Sequence, residues 1–154
     1  MADLADRTPA PGGGAAAAWT GAIAAALLEM CARFADDDDT AARGGELRRR
    51  LLEDAERDLE SYVPVLAAFR RPRDDPGRAA ELRDALRRAS EVPRAMAAAA
   101  GEVAQLARQV AARSRPAVRG DALTATRLGE AAAQAAQQLV EINNSLIERA
   151  TGDA

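Results

Sequence analysis

Residues 14–34 read GAAAAWTGAIAAALLEMCARF. Alanine has the highest helix propensity of the common residues, and this run holds no proline and few β-branched side chains. A helix from about Gly14 to Phe34 is therefore expected. Trp19, Ile23, Ala26, Leu27, Met30 and Phe34 recur at three- and four-residue steps and predict one apolar face. The remaining positions are largely alanine, so several faces are available for packing. The run follows Pro-Gly-Gly-Gly rather than a basic segment, and it carries Glu29 and Arg33. It reads as a buried helix rather than a signal or membrane segment.

The whole chain supports a helical fold. Its 154 residues suit a single domain over 1–154, and hydrophobic residues make up 48% of them, enough for a core. Aromatics are only 3%, which argues against sheet. The net charge of −3 leaves no broad cationic field for nucleic acid. Histidine and lysine are absent, so all 21 cations are arginines. That excludes Ser-His nucleophile pairs, Schiff-base lysines and the usual zinc ligand sets. No metal site is expected, and acid–base work falls to Asp, Glu, Tyr, Cys or bound water. The single cysteine, Cys31, has no intramolecular disulfide partner and fits a reducing cytoplasm. It reads as a small core residue, since no histidine is present to activate it.

Three further helices follow. Asp36 to Asp39 reads as a solvated loop and helix cap, with cation binding as the alternative. A second helix is expected over about 45–70, with Leu47, Leu51, Ala55, Leu59, Tyr62, Leu66 and Phe69 inward and a kink at Pro64. A third spans about 76–113, bent or divided at Pro93, with Leu82, Leu86, Ala89, Met96, Val103, Leu106 and Val110 buried. A fourth begins at Asp121, read as its cap, and runs to about Ala150 with Leu128, Ala132, Ala135, Leu139, Ile142 and Leu146 inward. The expected architecture is all-α, an up-and-down bundle of four to five long helices. Its many small apolar faces suggest a dimer.

A few polar residues fall on apolar arcs. Asp58 lies within the core-facing arc of the second helix, whereas Glu53, Glu56 and Glu60 point away. It is either a boundary carboxylate, paired with an arginine or capping a broken turn, or a functional group. Asn143 lies between Leu139 and Ile147 on the fourth helix and either sets helix register or contacts a ligand. Asp121 shares the azimuth of that helix's stripe, so its carboxylate either caps the helix or faces the end of the bundle. Pro11-Gly12-Gly13-Gly14 precedes the first helix. It is either a flexible lead-in or a place where a ligand approaches free backbone amides.

The context of the glycines carries a resemblance. Thr8-Pro9-Ala10-Pro11-Gly12-Gly13-Gly14-Ala15-Ala16-Ala17-Ala18, then Gly21-Ala22 and Ala25-Ala26-Leu27, resembles the opening of the formiminotetrahydrofolate cyclodeaminase and methenyltetrahydrofolate cyclohydrolase family. Members typically carry P-x-PGGGS-x-x-A and then G-A-x-x-A-A-L. Asp58 followed by Tyr62, Glu91-Val92-Pro93, Gly120-Asp121 and Val140-Glu141-Ile142-Asn143 match later family segments in order. The chain departs from the pattern at Ala15, where the family has serine, and at Leu139, where it usually has asparagine. It is also shorter than is usual for the family.

The resemblance implies a dimeric helical bundle acting on a tetrahydrofolate derivative, with no other cofactor. Either the 5,10-methenyl bridge is hydrated to 10-formyltetrahydrofolate, or 5-formiminotetrahydrofolate is closed to the methenyl form with release of ammonia. On this reading Asp58 and Asp121 are candidate carboxylates for stabilising the cationic bridge and accepting a proton, and Asn143 orients substrate or water. Pro11, Gly12, Gly13 and Gly14 are the candidate substrate-binding residues, the glycines either binding the folate's carboxylates or positioning its ring. The alternative is a catalytically degenerate member, binding a small molecule or serving as a structural dimeric bundle.

Overall fold

The computed structural model describes residues 2–7 and 11–152, so Thr8, Pro9 and Ala10 of the opening motif lie outside the described residues. The elements are α1 (Ala2–Ala5), α2 (Gly13–Phe34), α3 (Asp38–Ser61), α4 (Val63–Arg70), α5 (Arg78–Ala89), α6 (Glu91–Arg113) and α7 (Pro116–Gly152). Four long helices form the bundle, as expected. α2 packs on α3, α6 and α7, while α4 and α5 pack on each other and α5 on the end of α7.

α2 starts within the glycine run, at Gly13, and its buried face is the alanine face. Ala15, Ala18, Ala22, Ala25, Leu28 and Ala32 are inside, whereas Ile23 is 58% exposed and Phe34 62% exposed. The expected stripe of large residues thus faces outward, with Trp19, Leu27 and Met30 only partly covered. Small side chains let neighbouring helices approach this axis closely, and a helix surrounded on several sides buries its narrow faces first. By length and composition α2 is apolar enough to cross a membrane, yet its alanine face is taken up by the bundle. Cys31 is fully buried in this core, and burial raises its thiol pKa, with Asp121 adding to the effect.

α3 begins at Asp38, seven residues earlier than the periodicity predicts. Gly44 and Gly45 read as breakers, yet they lie mid-helix because α2 passes over them. A Cβ at Gly44 would come within 3.2 Å of the Glu29 backbone nitrogen. Asp37 is the cap, accepting from the Thr40 N–H at 3.1 Å and pairing with Arg113. No group of three or more acidic, cysteine or histidine side chains with metal-binding geometry occurs among the described residues. Asp36 makes the turn with φ of 54°, a left-handed conformation that Asp tolerates better than most residues.

The two proline breaks lie where the sequence places them and form the walls of one site. Pro64 is in the first turn of α4, where its missing N–H costs nothing. The Tyr62 N–H turns to the Glu60 carbonyl, and the Ser61 hydroxyl donates to the Asp58 carbonyl at 3.0 Å. Pro93 lies in the first turn of α6, and the break falls at Ser90. The Ser90 hydroxyl donates to the Leu86 carbonyl at 2.8 Å.

α7 starts at Pro116 rather than Asp121. Proline suits the first helical position, and this one follows the short Ser114-Arg115 link. Asp121 therefore sits inside the helix, exposed, and is not its cap. The α7 stripe is also rotated from expectation. Ala125, Ala132, Ala136, Val140 and Asn143 are buried, whereas Ile142 is 47% exposed. Gly129 allows the close crossing of α6 and α7, since a Cβ there would lie 3.0 Å from the Ala104 nitrogen.

Candidate active site

Large apolar residues left over from core packing meet across a groove. Leu59, Tyr62, Val63 and Leu66 come from the α3–α4 break, and Leu139 and Ile142 come from α7. With Gly12 to Gly14, Asp58, Ala89, Pro93 and Asn143 they line a cavity of about 370 Å³. It lies between the alanine-rich core of α2, α3, α6 and α7 and a smaller cluster in which Val65, Ala68, Leu82, Ala85, Leu86 and Ala89 pack against the end of α7.

Three of the sequence candidates converge here: the glycine run, Asp58 and Asn143. The Asp58 carboxylate rests on the first turn of α2, and a Cβ at Gly14 would overlap its carboxylate atoms. The glycine thus makes room for the carboxylate, which explains in steric terms why a side chain is excluded at that position. Burial alone shifts Asp58, raising its carboxyl pKa above the ordinary value. Among the described residues no arginine or hydrogen-bond donor offsets that burial, so pairing with an arginine is not its role here. A half-buried, unpaired carboxylate in an apolar-sided cavity is the pattern of a group set to accept a proton.

Asn143 is 7% exposed, and its amide donates to the Ser90 hydroxyl at 3.2 Å. Ser90 in turn donates to the Leu86 carbonyl, so the amide is held by a short polar chain. This orients one edge of Asn143 from behind. Register and ligand contact are thus compatible, since the residue is both anchored and part of the cavity wall. Ser90 itself is not evident from the sequence, except that it lies three residues before a mid-helix proline.

Two other candidates stand apart. Asp121 is exposed on α7 and is not among the cavity residues, its field reaching Cys31 instead. Pro11 is partly buried and leads into the glycines without lining the cavity. The departures from the family pattern also separate. Ala15 is fully buried in the alanine core, away from the cavity. Leu139 lines the cavity and lies 4.0 Å from a Cβ built at Gly13, so it puts a methyl where the family usually has an amide.

Another carboxylate escapes a sequence reading. Asp54, one turn before Asp58 on α3, is only 2% exposed, and its Oδ2 has no hydrogen-bond partner. Arg50 and Arg57 approach it at 3.9 Å and 3.5 Å. Burial raises its pKa, with the two arginines opposing. It is not among the residues that line the cavity.

The family model for formiminotransferase-cyclodeaminase matches residues 1–151. A methenyltetrahydrofolate cyclohydrolase from Methylorubrum extorquens is 32% identical over 155 residues, covering 91% of this chain and 74% of the relative. The crystal structure of a formiminotetrahydrofolate cyclodeaminase from Thermotoga maritima superposes with a TM-score of 0.81 at 26% identity. That match covers 98% of this chain and 82% of the other. Matched by the family model over residues 1–151 and 32% identical to a curated relative over 91% of its length, the chain belongs to the formiminotransferase-cyclodeaminase family of folate one-carbon enzymes.

Proposed function

We propose that this chain hydrolyses the methenyl bridge of 5,10-methenyltetrahydrofolate, with Asp58 as the proton acceptor. The observation that carries this reading is the unpaired Asp58 carboxylate facing an apolar-sided cavity. The methenyl bridge is a delocalised cation, and a carboxylate beside it lowers the energy of the charge that reacts. Water adds to the bridge carbon and passes its proton to Asp58. As the carbon–nitrogen bond to N5 breaks, N5 takes up a proton, and 10-formyltetrahydrofolate leaves with one proton released overall. Gly12 to Gly14 give the ring a backbone surface without side chains, and the anchored Asn143 amide orients the ring or the water. Asp121 has no part in these steps. The chemistry requires no metal or redox cofactor.

The test is the near-ultraviolet absorbance of 5,10-methenyltetrahydrofolate, followed in a buffer where spontaneous hydrolysis is slow. Saturable acceleration is expected. Turnover of 5-formiminotetrahydrofolate instead would assign the cyclodeaminase reaction, the activity for which the structural relative is named. A second reading, a ligand-binding member without turnover, is favoured by Leu139 in the cavity wall. Binding of folates with neither reaction would establish it.

The working unit is proposed to be a cytoplasmic homodimer paired through the outer face of α2. Ile23 and Phe34 leave an apolar strip exposed there, of the kind that marks an interaction surface. Sedimentation velocity is expected to give a dimer, and Ile23→Glu with Phe34→Glu a folded monomer. A dimer that survives both changes would place the interface elsewhere.

A further inference from the structure

The Asn143 amide has an edge that accepts hydrogen bonds and an edge that donates them, and the two have nearly the same shape. Which edge faces the Asp58 cavity decides whether that wall reads a donor or an acceptor on the ligand. Packing cannot decide it, because a flipped amide fills the same space.

Ser90 decides it. It sits at the break between α5 and α6, fully buried, and its hydroxyl donates to the Leu86 carbonyl at 2.8 Å. A hydroxyl has one proton to give. With that proton committed, the Ser90 oxygen is left to accept, and the group that reaches it at 3.2 Å is the Asn143 Nδ2. The two lengths agree with these roles. Bonds donated by a hydroxyl cluster below about 3.0 Å, whereas those donated by nitrogen extend to about 3.2 Å. With Nδ2 turned to Ser90, Oδ1 is turned the other way. No donor among the described residues reaches it, and it is not one of the sealed, unpartnered side-chain atoms, so it opens onto the cavity that Asn143 lines.

The cavity wall thus carries two side-chain acceptors, the Asp58 carboxylate and the Asn143 Oδ1. Leu139, one turn earlier on α7, supplies no donor that would hold Oδ1 in its place. A water that gives one hydrogen to each acceptor keeps a lone pair for the bridge carbon. A ring N–H is the other donor that suits Oδ1.

We propose that Ser90 is a positioning residue for the folate reaction, holding the Asn143 amide so that its oxygen accepts from a donor at the reacting centre, the attacking water or a ring N–H. Ser90 is not among the cavity residues and acts only through Asn143. The assignment rests on the folate reading and deepens it, by giving a direction to the one amide in the wall.

The test is steady-state turnover of 5,10-methenyltetrahydrofolate by the full chain, with 5-formiminotetrahydrofolate as the alternative substrate. Ser90→Ala removes the anchor with little change of volume and lets the amide present either edge. It should lower kcat/KM about tenfold, the worth of one well-placed hydrogen bond. A fall in kcat at constant KM assigns the water to Oδ1, and a rise in KM at constant kcat assigns the ring N–H. The acid limb of the pH–rate profile, which belongs to Asp58, should stay where it is. In an Asn143→Ala background, Ser90→Ala should cost no further activity, because the group it positions is gone. Thermal melts of each variant establish that the protein compared is folded. Unchanged kinetics in Ser90→Ala, a displaced acid limb, or full additivity with Asn143→Ala overturns the assignment while the folate reading stands. Wild-type protein that turns over neither folate overturns both.

Discussion

Asp58→Asn is expected to lower kcat for the folate reaction by about 100-fold or more, while the melting temperature at neutral pH rises. The two effects have one cause. Burial raises the folded-state pKa of Asp58, with no partner among the described residues to counter it. Its unfolded value is about 3.9. The folded state therefore holds the proton more tightly than the unfolded state. That contribution to stability is fully present below the unfolded pKa and is lost as pH rises through the folded pKa. At neutral pH the ionised carboxylate is thus a stability cost, which a neutral amide removes. The same shift sets the acid limb of the wild-type pH–rate profile above the ordinary carboxylate range, because the proton acceptor must be ionised. The asparagine variant should lose that limb along with its rate. Unchanged turnover would remove Asp58 from the chemistry. A lower melting temperature would show that the carboxylate is a structural partner rather than a group held in place at a cost.

The helices were legible in the sequence because alanine propensity, the prolines and the apolar spacing agree. The facing of the helices was less so. On α2 the periodic large residues look like the core stripe, yet the core takes the alanine face and leaves Ile23 and Phe34 outside. Periodicity identifies an apolar face without saying which neighbour covers it, and an alanine-rich helix has more than one. On α7 and α4 the same ambiguity proved productive. Leu139, Ile142 and Tyr62 satisfy the pattern of buried residues, but they line the groove instead.

The site was legible where a polar residue broke an apolar arc. Asp58 and Asn143 stood out for that reason, and both belong to the cavity wall. Asp121 imitates a cap because it follows a glycine, whereas Pro116 already starts the helix. Ser90 was hidden because a serine on a long helix carries no signal until the break at Pro93 turns it toward Asn143.

Gly14→Ala is expected to reduce kcat/KM about as strongly as Asp58→Asn, with little loss of stability. The added methyl would overlap the Asp58 carboxylate. Overlap with backbone would force α2 and α3 apart, but here the obstacle is the end of a short side chain, which can rotate away. The fold therefore survives, and α2 gains a better helix former in its first turn. The chemistry does not survive, because the rotated carboxylate no longer faces the substrate, and catalytic groups tolerate only small misplacements. Gly120→Ala provides the comparison. A Cβ there has nothing within 4 Å, so the same methyl addition should leave both rate and melting temperature nearly unchanged. The decisive measurement is the double variant. If Gly14 acts by giving room to Asp58, then Gly14→Ala combined with Asp58→Asn should be no slower than Asp58→Asn alone, since one carboxylate cannot be lost twice. Full additivity would mean that the glycine contributes through its own backbone contact with the ligand, independently of the carboxylate behind it.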